Sequence, residues 1–216
     1  MYNGRVTVAG PADVHELGGL SISKLAVGPF NNNTYLLRCR ATGRQVLIDA
    51  AAEPDRILEL IGPDGVDLIV TTHRHRDHWQ ALEEVAGQTG APTAAHILDA
   101  PGIPVPTDVL LLDGETVQVG QCTLRVIHLV GHTPGSIALV YDDPDGAPHL
   151  FTGDCLFPGG VGKTDSDEDF ASLYRGVVDR LFSVLPDETW VYPGHGWDTT
   201  LGAERPALAD WLERGW

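Results

Sequence analysis

In the stretch "TTHRHRDHWQ" (71–80), His73, His75, Asp77 and His78 crowd into six residues, in a chain where histidine is 9 of 216. The preceding run "VDLIV" has strand character. A chain still extended after it turns His73 and His75 (i, i+2) to the same side. Asp77 and His78 then fall where the next helix begins, aimed at a neighbouring point. Neutral imidazoles with a carboxylate and no thiolate suit Zn(II), Fe(II) or Mn(II), and favour an open catalytic site over a closed structural one. The alternative is a solvated polar loop. Four ligands in one loop cannot fill two metal shells, so the fold has to bring other loops to this one.

Three distant residues qualify: His132 in "VGHTPGS", Asp154 in "FTGDCLF" and His195 in "YPGHGW". Each stands just after a strand-like run and beside glycine, where irregular backbone can approach a metal closely. Strand-like runs recur at 21–28, 33–40, 45–50, 66–72, 92–97, 115–130, 136–143, 149–154 and 189–194. They are rich in Val, Ile, Leu or Thr and bounded by Gly, Pro, Asn or Asp. The pieces "RATGRQ" and "DDPDGAPH" read as hairpin turns.

Helices are predicted between these runs. One starts at Pro54 and stops before Gly62, and a second, "HWQALEEVAGQTG", carries Leu82 and Val85 on one face. The clearest has Ser166 as cap with Asp169 three residues on, and a stripe of Phe170, Leu173, Val177, Leu181 and Val184. A short last helix begins near Pro206. Strands with helices outside them imply α/β layers with two sheets able to face each other. With no repeat, low-complexity tract or linker, residues 1–216 are expected to form one domain.

Charge narrows the partners. A net charge of −16 and a pI near 4.7 repel phosphate backbones and anionic lipid, so neither nucleic acid nor membrane is expected as a partner. An anionic small substrate is still allowed if cations are concentrated at the site. The N-terminal stretch has no basic segment followed by an apolar run, and no apolar run approaches the ~18 residues of a membrane span. The three cysteines, Cys39, Cys122 and Cys155, are far apart and odd in number, which fits a reducing cytoplasm. Cys155 reads as a small packed residue, with a reactive thiol as the alternative.

"THRHRDH", "GHTPGS", "TGDCLF" and "PGHG", in that order, resemble the four ligand motifs of the metallo-β-lactamase superfamily over roughly positions 20 to 200. Within it the chain is similar to glyoxalase II-like hydrolases through "GHTPGS", "GDCLFPGGVGKTD" and "YPGHGWDTTLGAERP". The resemblance implies a four-layer αββα sandwich with a dinuclear site at one edge. It assigns His73, His75 and His132 to the first metal, Asp77, His78 and His195 to the second, and Asp154 as bridge. Two divalent ions, Zn(II) first with Fe or Mn as alternatives, would share a water and pull its pKa from 15.7 towards ~7. The implied reaction is hydrolysis of an acyl bond by a metal-bridging hydroxide, with Asp77 also orienting the hydroxide. A thiolate leaves more readily than an amine, which favours a small-molecule thioester of the 2-hydroxyacyl thiol kind.

Lys163 matches the basic residue with which glyoxalase II holds glutathione's carboxylate; a solvated loop charge is the alternative. The pattern departs around it: Val161 stands where a cysteine is usual, and Thr164 and Asp165 replace an aromatic stretch. No separate helical C-terminal domain is expected before the chain ends at Trp216, so another thiol carrier, an ester or a lactone stays open. Trp79 and Trp197, near His78 and His195, are read as walls for an acyl group, with packing beneath the site as the alternative. Rival readings are a persulfide dioxygenase-like enzyme with one iron on His73, His132 and Asp154, since "GVGKTD" resembles that group's "GxGRTD", and a lactonase or β-lactamase-type hydrolase. A metal-stabilised binding protein is the non-enzymatic rival.

Other polar residues are expected away from the metals. His128 reads as a hydrogen-bonded core residue or a support to a ligand, His96 as a packed strand end, and His15 and His149 as surface residues. Asp49, ending "VLIDA", either orients a ligand or caps the following turn.

Overall fold

Alternation of period two gives each sheet two apolar faces, and the fold buries both. The computed structural model describes residues 2–215. One sheet runs in chain order through β1 (Asp13–Glu16), β2 (Leu20–Val27), β3 (Asn32–Cys39), β4 (Gln45–Ile48), β5 (Leu68–Thr71), β6 (Thr93–His96) and β7 (Val109–Leu111). Its first four strands are antiparallel and its last four parallel. β8 (Thr116–Val119), β9 (Cys122–His128), β10 (Ile137–Tyr141) and β11 (His149–Gly153) belong to a second sheet. β12 (Leu156–Phe157) and β13 (Gly160–Val161) form a separate short hairpin, and β14 (Trp190–Pro193) and β15 (Thr199–Thr200) complete the second sheet, ordered β15-β14-β11-β10-β9-β8.

Inward residues of the first sheet, among them Ile22, Leu37, Ile48 and Val70, meet Leu124, Val126, Leu139 and Phe151 of the second in one cluster. The outward neighbours Leu36, Leu47 and Ile69 pack under α1 (Pro54–Ile61) and α2 (Leu82–Thr89). Ile127, Val140 and Leu150 pack under α3 (Asp167–Val177) and, past α4 (Leu201–Glu204), under α5 (Leu208–Arg214). Four layers result, αββα. Each fully buried aliphatic side chain contributes about 1.5–3 kcal/mol, so a one-residue slip of register would be heavily penalised.

Local signals explain the helix ends. Ser166 Oγ accepts from the Asp169 amide at 3.1 Å, and Asp167, Glu168 and Asp169 place negative charge at the helix start. The expected stripe then breaks: residues Val178–Phe182 form a π-helical turn, leaving Val184 64% exposed while Leu185 is 7% exposed. A π turn takes in one extra residue, so the apolar face moves on by one position.

Two further expectations are corrected. The run 115–130 is two strands, broken at Gly120 (φ +58), whose positive φ suits a tight turn without a Cβ. His149 is buried at 5% exposure rather than on the surface, because β11 is central and its residue 149 shares the inward face with Phe151. Its Nδ1 lies 2.9 Å from the Tyr192 hydroxyl, which is also 2.7 Å from Nδ1 of half-buried His15, on which Tyr2 stacks. Among the described residues, no helix is long and apolar enough to cross a membrane.

Candidate metal centre

The chain leaves β5, β9, β11 and β14 into the four loops that carry the expected ligands, and those loops meet. Potential donor atoms of His73, His75 and His132 lie within 4.8 Å of one another, as do those of Asp77, His78 and His195, and those of His73, His78 and Asp154. Asp154 sits between the groups: its carboxylate oxygens lie 3.3 Å from His78 Nε2, 3.3 Å from His195 Nε2, 3.6 Å from His132 Nε2 and 4.0 Å from His73 Nε2. Asp77 Oδ2 is 3.3 Å from His195 Nε2 and 3.7 Å from His78 Nε2.

Close backbone approach makes this possible. A Cβ built on Gly194 would collide with Asp154 Oδ1, and Gly153, at φ +48, lets β11 turn directly into Asp154. Backbone bonds across the seam fix the loops together: Ile137 donates to Thr72, Gly194 to Gly153, and Asn33 to Gly194 at 2.7 Å.

Three rings are oriented through Nδ1. His132 Nδ1 donates to the Lys163 carbonyl at 2.7 Å, His195 Nδ1 to the Phe30 carbonyl at 2.9 Å, and His78 Nδ1 to Asp49 Oδ2 at 2.8 Å. Each acceptor lacks a proton, so Nδ1 carries a hydrogen, and Nε2 is the nitrogen turned to the centre, where it would meet a cation. Asp49 thus orients a ring; instead of capping the turn that follows it, its carboxylate accepts from the Thr72 amide and hydroxyl at 2.7 and 2.8 Å, at the end of β5.

Burial and charge oppose each other here. Burial holds the His73 pKa well below the ordinary imidazole value, helped by neighbouring His78, and burial likewise lowers His132. Burial acts the same way on His78 and His195, but carboxylates overcome it. Asp154 and Asp49 hold His78 well above its usual value, and Asp154 and Asp77 push His195 up to about 9. Asp77 is held far below the carboxylate range, chiefly by the hydrogen bond from His195. Burial would raise Asp154, yet His78 and His195 lower it well below that range.

The remaining expected residues are placed as follows. Lys163 is exposed and is linked to the centre by its backbone carbonyl. The Trp79 ring packs against the cluster under α1 and α2, its Nε1 donating to the Arg74 carbonyl. Trp197 is 53% exposed, with the Arg5 guanidinium 4.5 Å over its ring. His96 is buried at its strand end and stacks on His128 at 3.9 Å, while His128 Nε2 lies 2.8 Å from the Pro134 carbonyl. Cys155 is fully buried, and burial pushes its thiol up to about 12, which matches a packed residue.

Sequence reasoning missed several supports. Asn32 Nδ2 reaches both the Asp77 carbonyl and Oδ2 at 3.0 Å, and Asn33 Nδ2 donates to the Pro193 and Gly196 carbonyls. Asp99 accepts from Arg74 N, Thr133 Oγ1 and Gly135 N, tying the His73–His75 and His132 loops together. The triple asparagine at 31–33 was the available signal, since a polar run entering a strand needs buried partners.

The donor set fits divalent cations. Asp154 Oδ1 is buried without a hydrogen-bond partner. His78 Nε2 stands 3.2 Å from His195 Nε2, and His132 Nε2 lies 2.9 Å from His75 Nδ1 and 3.2 Å from His73 Nε2. Lone pairs converging at such spacing are satisfied together by positive ions between them.

Comparison with known proteins agrees. The family model described as "Metallo-beta-lactamase superfamily" matches residues 27–195. A hydroxyacylglutathione hydrolase of Rhodospirillum rubrum is 33% identical over 195 residues, covering 85% of this chain and 66% of its own length. The chain thus spans just under two thirds of that relative. Among solved structures, ETHE1 from Myxococcus xanthus is 31% identical with a TM-score of 0.77, covering 88% of this chain and 84% of its own. TTHA1623, solved in a di-iron-bound form, is 35% identical with a TM-score of 0.69, covering 84% and 96%.

Proposed function

We propose, on the premise that this chain belongs to the metallo-beta-lactamase superfamily, that it is a metal-dependent hydrolase of a thioester of the 2-hydroxyacyl thiol kind. The observation that carries the reading is Asp154, a buried carboxylate with one unsatisfied oxygen set between two groups of histidines. In this reading His73, His75 and His132 would hold one divalent ion and Asp77, His78 and His195 a second, with Asp154 available to both. Zn(II) is the proposed metal, with Fe or Mn as alternatives. When bound, such ions supply an acidified water and polarise the acyl carbonyl.

The protein's own groups do the rest. Asp77, fixed by Asn32, would accept a hydrogen bond from the water and turn its oxygen lone pair towards the carbonyl carbon. His78 and His195 keep their Nε2 faces inward through Asp49 and Phe30, so no reorientation is needed during the reaction. A thiol leaving group needs little protonation. Lys163, an exposed residue whose backbone carbonyl accepts from His132 in a chain of net charge −16, is proposed to hold an anionic group of the thiol carrier with its ammonium. Trp79 and Trp197 are proposed to bound the acyl group.

The relative named hydroxyacylglutathione hydrolase supports this choice of reaction. The test combines elemental analysis of protein purified without added metal with thiol release from S-lactoyl thiols, before and after chelation. Two ions per chain and chelator-sensitive release are expected. Full release after verified metal removal refutes the mechanism. The likeness of "GVGKTD" to the persulfide dioxygenase stretch favours a second reading, oxidation of a thiol persulfide with one iron. One iron per chain, with oxygen uptake on a persulfide, would select it.

A further inference from the structure

Lys24 breaks the pattern of its strand. Along β2 the inward row is Leu20, Ile22, Lys24 and Ala26, each 0% exposed. An ammonium therefore occupies a place between the sheets where an apolar side chain would pack without desolvating a charge. It is one of only two lysines in the chain.

All its protons are used. Lys24 Nζ donates to the Gly4 carbonyl at 3.0 Å, the Gly196 carbonyl at 2.7 Å and Asp198 Oδ1 at 2.5 Å. Asp198 is 1% exposed at its side chain, and its other oxygen accepts from the Tyr2 hydroxyl at 2.5 Å and Trp190 Nε1 at 3.0 Å. Gly196 follows His195 directly. Its carbonyl also accepts from Asn33 Nδ2 at 2.9 Å, and the Tyr35 hydroxyl holds the Pro193 carbonyl at 2.7 Å. The segment 193–198 is thus gripped from inside the sandwich by β2 and β3, while His195 faces outward to the centre.

A buried ion pair is a poor device for stability alone, since a well-packed apolar pair often does as well or better. It is a good device for direction, because the anchored ammonium, together with Asn33 Nδ2, sets where the Gly196 carbonyl points. We propose that Lys24 is a positioning residue for His195: by fixing the Gly196 carbonyl it sets the direction in which His195 presents Nε2 to the second cation. The assignment rests on the two-cation reading above.

The test compares wild-type protein with Lys24→Met, Lys24→Met/Asp198→Asn and Lys24→Arg. The double variant removes the ion pair while leaving an amide oxygen at position 198 to accept from Tyr2 and Trp190. Two measurements are made: backbone hydrogen exchange by mass spectrometry, and stepwise Zn(II) affinity by competition with a chromophoric chelator. In the Lys24→Met and double variants, exchange is expected to rise at 194–198 and stay unchanged at 73–78. One of the two Zn(II) equivalents should bind about 10–100-fold more weakly, with the other unchanged, as loss of an outer support produces. Lys24→Arg should recover part of both effects. Unchanged exchange and affinities overturn the assignment, and so does equal weakening of both equivalents. A double variant that does not fold overturns it as well, since the pair would then serve stability. Wild-type protein that takes up only one cation refutes the two-cation reading instead, and the exchange comparison then decides the role of Lys24.

Discussion

Asp49→Asn isolates one atom of the support beneath the centre. Asp49 sits at φ 57, a left-handed conformation that Asn tolerates as well as Asp, so the backbone has no reason to move. The native carboxylate accepts three hydrogen bonds, from the Thr72 amide at 2.7 Å, the Thr72 hydroxyl at 2.8 Å and His78 Nδ1 at 2.8 Å. An amide keeps an acceptor for the Thr72 N–H, and the Thr72 hydroxyl can rotate to accept from the new NH2. His78 has no such freedom. Its Nδ1–H would face an N–H, and relief requires the other tautomer, which places the proton on Nε2, where a cation would bind. A lost hydrogen bond to a charged group is worth about 1.5–3 kcal/mol, which at about 1.4 kcal/mol per decade is roughly a ten- to hundredfold loss of affinity. The loss should fall on the second cation, because His73 meets Asp49 only through Thr72 Oγ1, 3.1 Å from its Nδ1. Stepwise Zn(II) titration with ¹⁵N chemical shifts of the His78 ring is the assay. A folded Asp49→Asn protein that binds the second equivalent with native affinity, its Nδ1 still protonated, would refute the reasoning.

Gly194→Ala should lose cations from both positions while the far-ultraviolet circular dichroism is retained, because its Cβ would displace Asp154 Oδ1. The π turn gives a paired test: Leu185→Ala should lower stability by about 2–4 kcal/mol and Val184→Ala by less than about 0.5 kcal/mol, read from urea midpoints. His149 gives a pH signature. Burial, with His15 beside it, pushes its pKa from 6.5 down to about 4, so the unfolded chain takes up this proton first on acidification. Its stabilising share is complete above about pH 6.5 and declines as the pH falls towards 4. His149→Gln should flatten the stability profile in that window, and an unchanged slope would count against the assignment.

Much of the fold was legible because its information is local. The alternation of Leu20 and Ile22, or of Val46 and Ile48, states which face is inward, and the Ser166–Asp169 spacing states where α3 begins. The expected ligands were legible for another reason: four crowd into one loop after a strand, His132, Asp154 and His195 each follow a strand-like run beside glycine, and chemistry restricts which residue types serve there. What failed were places where a non-local neighbour decides. His149 reads as a surface residue because its neighbours Tyr192 and His15 lie 43 and 134 positions away in the chain. Val184 fitted a helical stripe whose phase a π turn had shifted.

Lys24 belongs between these classes. That the inward row of β2 contains a charge can be read from alternation alone, and the physics of burial then requires a partner. The sequence offers 30 acidic residues from which to choose, and nothing local selects Asp198, which is 174 positions away. Yet the candidates narrow once β14 and the loop after it are assigned to the second sheet. A carboxylate that meets Lys24 has to come from a segment crossing over β2, and the loop carrying His195 is such a segment. An inward charge on one sheet therefore points to the loop of the opposing sheet that needs fixing, which here is a loop that carries a candidate ligand.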